Sequence, residues 1–419
     1  MKRIVFGALA SSVLFLAACS GGANTFLPSN GGSGSGAGPD SLSEFQRDVA
    51  AGYIQPSCGA APAGEARCFA WVLTAAGREH AMAEGNLRRA DASTPSGYGP
   101  TQLRAAYNIT SAATTGGSGK TVAIVDAYDD PNLESDLGVY RAQFGLPACT
   151  TANGCFKKVG ESGTSTLPAK NASWGQEESL DVDMVSANCP NCHILVVEAN
   201  STSFTDLGTA VNTAASLGAT EISNSYGGSE SSSETSYASY YNHANIAITA
   251  SNGDSGYGAA VPAAYNTLTA VGGTTLKTAS NSRGWTETVW SGTGSGCSKY
   301  ISKPSWQKDA TCTKRMIGDV AYDADPNTGV AVYDSYAYDG ESGWMVFGGT
   351  SVASPAIASI YALAGNTVSN ASYGYSHTSS LYDVTSGSNG RCSPAYYCTG
   401  ETGYDGPTGN GTPNGTGAF

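Results

Sequence analysis

The segment FGGTSVASPAIAS, Phe347–Ser359, sets a serine where a glycine pair gives way to helical apolar spacing. Ser351 has the placement of a nucleophile there: a hydroxyl at a helix amino terminus, where free backbone N–H groups favour developing negative charge. A serine nucleophile needs a base, and histidine is the usual one. The chain has four histidines. His80 precedes the core, His193 opens a strand, His243 sits in a tyrosine-rich stretch predicted as helix, and His377 lies among Ser, Gly and Tyr. None belongs to a glycine-rich motif that would aim it at a serine.

Carboxylates offer another source of a base. In SWGQEESLDVDMVSANC, Glu177 and Asp181 are four residues apart and share one face of a predicted helix. A solvated helix face would also carry such a pair, but Leu180, Val182, Met184 and Val185 make this helix apolar enough to pack. A packed carboxylate pair shares a proton, which raises one pKa towards that of a useful general base. Glu178, three residues from Asp181, can reach it too. In TASNGDSGYG, Asp254 sits in a glycine-bracketed turn after a predicted strand, where an aspartate is ordinary. Beside a tetrahedral intermediate it has a chemical use: a protonated carboxyl donates to an oxyanion, which ties the site to acidic pH.

The elements that must position these residues alternate along the chain. TVAIVDAY is a continuous apolar run ending in a carboxylate, as a buried parallel strand reads, and HILVVEA, TEISNSY, NIAITAS and TLTAVGG follow it. Between them EESLDVDMVSANC, FTDLGTAVNTAASLG and SSETSYASYYNHA have helical spacing. The alternation predicts one large α/β domain, a parallel sheet with helices on both faces and chemistry at the carboxyl ends of its strands.

Together GGTSVASP, EESLD and SNGDSG resemble the sedolisin family, the serine-carboxyl peptidases, over roughly residues 97–419. The resemblance implies a subtilisin-like fold in a single large catalytic domain. Ser351 and Pro355 match the family's Gly-Thr-Ser-x-x-x-Pro segment, and Glu177 and Asp181 its Glu-x-x-x-Asp segment. Ser351 is then the nucleophile, Glu177 the general base and Asp181 its orienting partner; Asp254 stabilises the oxyanion. Glu177 rather than Glu178 keeps the family spacing. Asp126, ending TVAIVDA, takes a supporting place in the carboxylate network. The family's carboxyl-terminal calcium loops map onto Asp383 and the Val384 carbonyl, and onto Asp405 with the Glu401 and Gly403 carbonyls. Glu401 replaces a glycine of that loop but still offers a carbonyl. One structural Ca2+ is implied, held by hard oxygen ligands. The implied activity is an acid-active serine-type endopeptidase that cleaves protein or peptide substrates through an acyl-enzyme. The rival is a catalytically silent surface lipoprotein that uses the same scaffold for binding.

Composition bounds the setting. Net charge is −13 with only 13% charged residues, so no basic cluster exists to neutralise phosphates and nucleic acid is excluded as a partner. Residues 1–19 read as a lipoprotein signal peptide: Lys2 and Arg3, an apolar core, then LAAC, which resembles a lipobox with Cys19 as the lipidated residue. Ordinary secretion with cleavage near Ala18 is the alternative. Residues 20–42 form a Gly/Ser tether, 43–96 a short extension or reduced prosegment, and 97–419 the peptidase domain. The expectation is an exported bacterial lipoprotein, monomeric and membrane-held at the outer membrane, periplasm or cell surface. Of eleven cysteines, ten remain after Cys19, in neighbouring pairs: Cys58/Cys68, Cys149/Cys155, Cys189/Cys192, Cys297/Cys312 and Cys392/Cys398. In an exported chain these read as five short-loop disulfides. The CPNC pair could serve a zinc or redox site, but no second CxxC accompanies it.

Overall fold

The computed structural model describes residues 42–91 and 94–419; the leader, Cys19 and the tether through residue 41 lie outside the described residues. The five predicted strands and three more form a central sheet: β1 (Thr121–Ala127), β2 (Phe156–Gly160), β3 (His193–Ala199), β4 (Glu221–Asn224), β5 (Ala247–Ser251), β6 (Thr269–Thr278), β7 (Trp285–Val289) and β8 (Val320–Asp323), of which β2, β7 and β8 are not among those predicted. Their order is β7-β6-β5-β4-β1-β3-β2, with β8 also on β6. Every pairing is parallel except that of β6 with β7. Four helices matter for the site: α1 (Leu133–Gln143), α2 (Ala172–Asn188), α3 (Phe204–Ser216) and α4 (Thr350–Ala364).

Strand side chains alternate between faces, and the core divides accordingly. Val122 and Ile124 of β1, with Ile194 and Val196 of β3, pack with Leu133, Leu137, Val182, Val185 and Ala358. The intervening Ala123, Val125, Leu195 and Val197 belong to the cluster holding Leu207, Ala210, Val211 and Ala214 of α3. Apolar strands covered on both faces account for the uninterrupted hydrophobic runs in the sequence.

The ten cysteines of the described residues form the five expected disulfides, Cys58–Cys68, Cys149–Cys155, Cys189–Cys192, Cys297–Cys312 and Cys392–Cys398. The helix predicted for SSETSYASYYNHA does not form; two 3-10 turns, Glu234–Ser236 and Ala238–Tyr241, take its place. Its polar side chains bond locally instead, Ser236 Oγ to the Ser233 carbonyl at 2.7 Å and the Ser231 amide to Glu234 at 2.8 Å. Such bonds compete with helix. Among the described residues no helix is long and apolar enough to cross a membrane.

Residues of the 43–96 segment are woven into the larger domain. Trp71–Leu73 pairs antiparallel with Ile54–Pro56 on one side and, through Trp71 and Val72, with the strand Glu341–Gly348 on the other. Trp71 and Leu73 share a core with Phe45, Trp290 and Val346.

Candidate active site

The carboxyl ends of β1, β4 and β5 meet the amino terminus of α4. Gly349 caps α4 at φ +97°, and a Cβ there would fall 2.0 Å from the Phe69 carbonyl oxygen and 2.8 Å from Asp254 Oδ2. Only glycine suits both that backbone conformation and that closeness. Ser351 is the second helical residue, so its N–H has no intrahelical acceptor. It donates instead to the Phe69 carbonyl at 3.2 Å. Pro355 removes the N–H that would bond the Ser351 carbonyl, which faces Ser225 Oγ at 3.5 Å.

Helix α2 carries the carboxylates inward. Asn171 caps it, its Oδ1 accepting the Ser173 and Trp174 amides at 3.0 and 3.3 Å. Glu177, Glu178 and Asp181 are all fully buried, which rules out a solvated helix face. Carboxylate oxygens of Asp126, Glu177 and Asp181 lie within 4.8 Å of one another. Ser225 Oγ is 2.8 Å from both oxygens of Asp181, while neither oxygen of Glu177 or Asp126 has a hydrogen-bond partner among the described residues. Burial raises Glu177 well above the usual carboxylate range, the charges of Asp181 and Asp126 raise it further, and the adjacent Ser351 hydroxyl pulls it down. Burial does the same to Asp126, reinforced by Asp181 and Glu198, and to Asp181, where Ser225 opposes it. Such a cluster holds protons in common.

Ser351 Oγ donates to the Ser225 carbonyl at 3.0 Å, so the hydroxyl must rotate to reach Glu177. The charges that act on Glu178 are those of Glu198, Asp130, Asp126 and Lys158, with no contribution from Ser351; Lys158 bridges Glu198 at 2.9 Å and Asp129 at 2.5 Å. Asp254 lies on the loop after β5, its Oδ1 accepting the Thr350 amide and hydroxyl at 2.9 and 2.7 Å. Burial pushes it up to about 7 against these bonds and the nearby Arg67. The histidines are engaged elsewhere: His80 stacks on Tyr53, His243 contacts the Tyr240 carbonyl, His377 the Tyr373 carbonyl, and His193 is exposed at the start of β3.

The carboxyl-terminal loops also meet. The Gly403 amide donates to Asp383 Oδ2 at 2.9 Å, and Asp405 accepts the Glu401 and Thr408 amides at 3.1 and 2.9 Å. Burial pushes Asp405 up to about 7, with the charge of Asp383 adding to it. Two neighbouring carboxylates are hard oxygen donors of the kind a Ca2+ takes.

Sequence reasoning missed Ser225, Thr350 and the segment Arg67–Val72, which lies over the serine. The sequence trace of that segment is the apolar run CFAWVL, which begins at Cys68.

No protein-family model matches the chain. It is 30% identical to kumamolisin of Bacillus sp. (strain MN-32) over 380 residues, covering 80% of this chain and 65% of that protein. It is 36% identical to sedolisin of Pseudomonas sp. (strain 101) over 177 residues, 37% of this chain and 29% of that one. Xanthomonalisin of Xanthomonas sp. (strain T-22) matches at 36% over 185 residues, 37% and 21% of the two chains. The chain thus spans from about a fifth to just under two thirds of the length of these relatives. Among solved structures, a Pseudomonas sedolisin, described as a serine-carboxyl proteinase complexed with two molecules of pseudo-iodotyrostatin, superposes with TM-score 0.64 at 25% identity, covering 77% of this chain and 96% of that one.

Proposed function

Since the chain belongs to the sedolisin family, we propose that it is an acid-active serine-type endopeptidase that acts through an acyl-enzyme. The observation that carries this reading is the grouping of Ser351, at the amino terminus of α4, with the buried carboxylates of Glu177, Asp181 and Asp126. Ser351 attacks the scissile carbonyl while Glu177 takes its proton. Asp181, fixed by Ser225, and Asp126 behind it hold the Glu177 carboxyl in place and share its proton. The Ser351 amide and protonated Asp254 hold the oxyanion. Glu177 then returns the proton to the leaving amine, and water hydrolyses the ester.

The carboxyl-terminal loops complete the reading: Asp383, Asp405 and the carbonyls of Val384, Glu401 and Gly403 would hold one Ca2+, which when bound ties the two loops together. Residues 1–19 with Cys19 act as a lipoprotein export signal and 20–42 as a tether, which places the peptidase at the bacterial envelope. Incorporation of a labelled fatty acid that Cys19→Ser abolishes tests the anchor.

The activity is tested by digesting a denatured protein at about pH 4 with wild type and S351A in the presence of pepstatin. Digestion by the wild type alone supports the peptidase. Equal inactivity of both would overturn it in favour of a binding lipoprotein.

A further inference from the structure

Three side chains on neighbouring strands form a row near the carboxyl ends of the sheet. Asp126 of β1 and Glu198 of β3 are direct partners in the parallel register, and β2 runs along the other side of β3. Residues two apart on a strand share a face. Asp126 therefore follows Val122 and Ile124, Glu198 follows Ile194 and Val196, and Lys158 follows Phe156, all on the face that packs against Val182 and Val185 of α2. From the edge strand β2, the Lys158 ammonium lies 2.9 Å from Glu198 Oε1, 2.5 Å from Asp129 Oδ1 and 2.6 Å from the Asp130 carbonyl oxygen. An ammonium has three hydrogens, and three acceptors face this one.

The row ends on the general base, since oxygens of Asp126 and Glu177 lie within 4.8 Å of each other. The other titratable groups set against it are Glu178 and Asp181 of α2, Asp129 and Asp130 of the turn after β1, and Tyr226. Among the described residues, no cation but Lys158 is ion-paired with any of these carboxylates. Burial works against the Lys158 charge, but Asp129, Glu198 and Glu178 outweigh it and raise its pKa. Burial pushes Glu198 up to about 8 against the pull of Lys158, and lifts Asp126 well above the usual carboxylate range. In acid, then, Lys158 is charged while Glu198 and Asp126 each hold a proton.

We propose that Lys158 and Glu198 are positioning residues for the general base: Lys158 orients Glu198, Glu198 donates to Asp126, and Asp126 donates to Glu177. The proposal rests on the peptidase reading. An ammonium beside Oε1 repels a proton from that oxygen, so the Glu198 proton sits on Oε2 and is free to bond Asp126. Asp126 accepts on one oxygen and donates from the other. Every hydrogen bond in the row then runs one way, from cation to base, and each polarises the next. A donor strengthened in this way favours the ionised form of its acceptor. Glu177 thereby stays able to take the Ser351 proton at a pH where an isolated buried glutamate would already hold one.

The test is the pH dependence with which the full-length chain digests a denatured protein at limiting substrate, from about pH 2 to 7, with melting curves to confirm folding. Lys158→Met and Glu198→Met keep the length of each side chain and remove its polar end. Each should move the acid limb of kcat/KM up by about one pH unit, and the double variant should move it no further. Glu198→Gln keeps a neutral donor and an acceptor, so its acid limb should stay within about 0.3 pH unit of the wild type. A purely structural role would change the amount of folded protein and leave the limb in place. Wild-type digestion with a Lys158→Met limb that superimposes on the wild-type one would overturn the row and leave the peptidase standing. So would a Glu198→Gln limb shifted as far as that of Glu198→Met. If the methionine variants do not fold, Glu198→Gln decides alone: an unmoved limb supports the neutral donor, and an upward shift of about one unit overturns it. A wild type that digests nothing at any of these pH values overturns both readings.

Discussion

The indole Nε1 of Trp71 donates to Asp254 Oδ2 at 3.0 Å, so the acid proposed to bind the oxyanion is held by the segment that lies over Ser351. While ionised, Asp254 only accepts, from Trp71 and Thr350. Once protonated it has a hydrogen to give, and Gly349 leaves the space in which it meets the Phe69 oxygen. Its pKa, pushed to about 7 by burial, sets the direction: activity should be present below that value and fall as pH rises through it. Asp254→Ala should lower kcat about 10²–10³-fold with a smaller change in KM, as for loss of one oxyanion donor. Steady-state kinetics across pH check both; an unchanged kcat in the alanine variant would remove Asp254 from the site.

Glu177 and Glu178 are adjacent in sequence and share Asp126 as a charged neighbour, but only Glu177 interacts with Ser351 and Asp181, while Glu178 is set against Glu198 and Lys158. Glu177→Gln should therefore reduce kcat by about 10³-fold or more, since acid–base transfer is lost. Glu178→Gln should keep kcat within about tenfold and act on stability instead, because it alters a buried carboxylate network. Assays of folded variants, with melting curves alongside, separate the two effects. The reverse ranking would exchange their roles.

Five of the central strands and α2 were legible because their burial is local in sequence: largely apolar runs for a sheet covered on both faces, and helical spacing around Glu177. FKKVG of β2 and WTETV of β7 carry charged and polar residues and do not read as strands. The burial of Glu177 itself was not legible, since a carboxylate pair reads alike on a solvated and a packed face. Ser225 escaped notice because a serine after a strand has no distinguishing spacing; only its contact with Asp181, 44 residues earlier, gives it a role. The Phe69 segment was illegible for the same reason at longer range: its partner Ser351 is 282 residues away. The polar SSETSYASYYNHA stretch misled because its period is helical while its serines bond the backbone of their own turns.

Buried carboxyls predict a protein more stable in acid. Asp254 and Glu221 are pushed up to about 7, and Asp334 and Glu198 to about 8, burial being the largest cause in each. Their unfolded values lie near 4, so between about pH 4 and 8 the folded state holds protons that the unfolded chain has released. The stabilisation is fully present below the unfolded values and is lost as pH rises through the folded ones. The melting temperature should be highest near pH 4 and lower by about 10 °C or more at pH 8. Scanning calorimetry of S351A, which avoids self-digestion, measures this directly. A melting temperature that rises from pH 4 to 8 would contradict the protonated cluster.

Calcium should oppose that trend at the carboxyl-terminal loops. Asp405, pushed up to about 7 by burial and by Asp383, is protonated in acid, and a proton and a cation compete for the same oxygens. Calcium affinity should therefore weaken as pH falls, with the ligand fully ionised only above neutrality. At saturating calcium, about 100 times Kd, the ion should add about 2.7 kcal/mol near neutral pH, and a chelator should remove it. Asp405→Asn should erase the calcium response of the melting temperature. Asp319→Asn should destabilise the fold yet retain that response, because its carboxylate pairs with Arg315 at 2.5 Å, while its tie to the loop runs through its backbone carbonyl, which accepts the Asn410 amide at 3.0 Å and survives the substitution. A chelator without effect on wild-type melting near neutral pH would count against the site, and an Asp405→Asn protein that still responds to calcium would place the ion elsewhere.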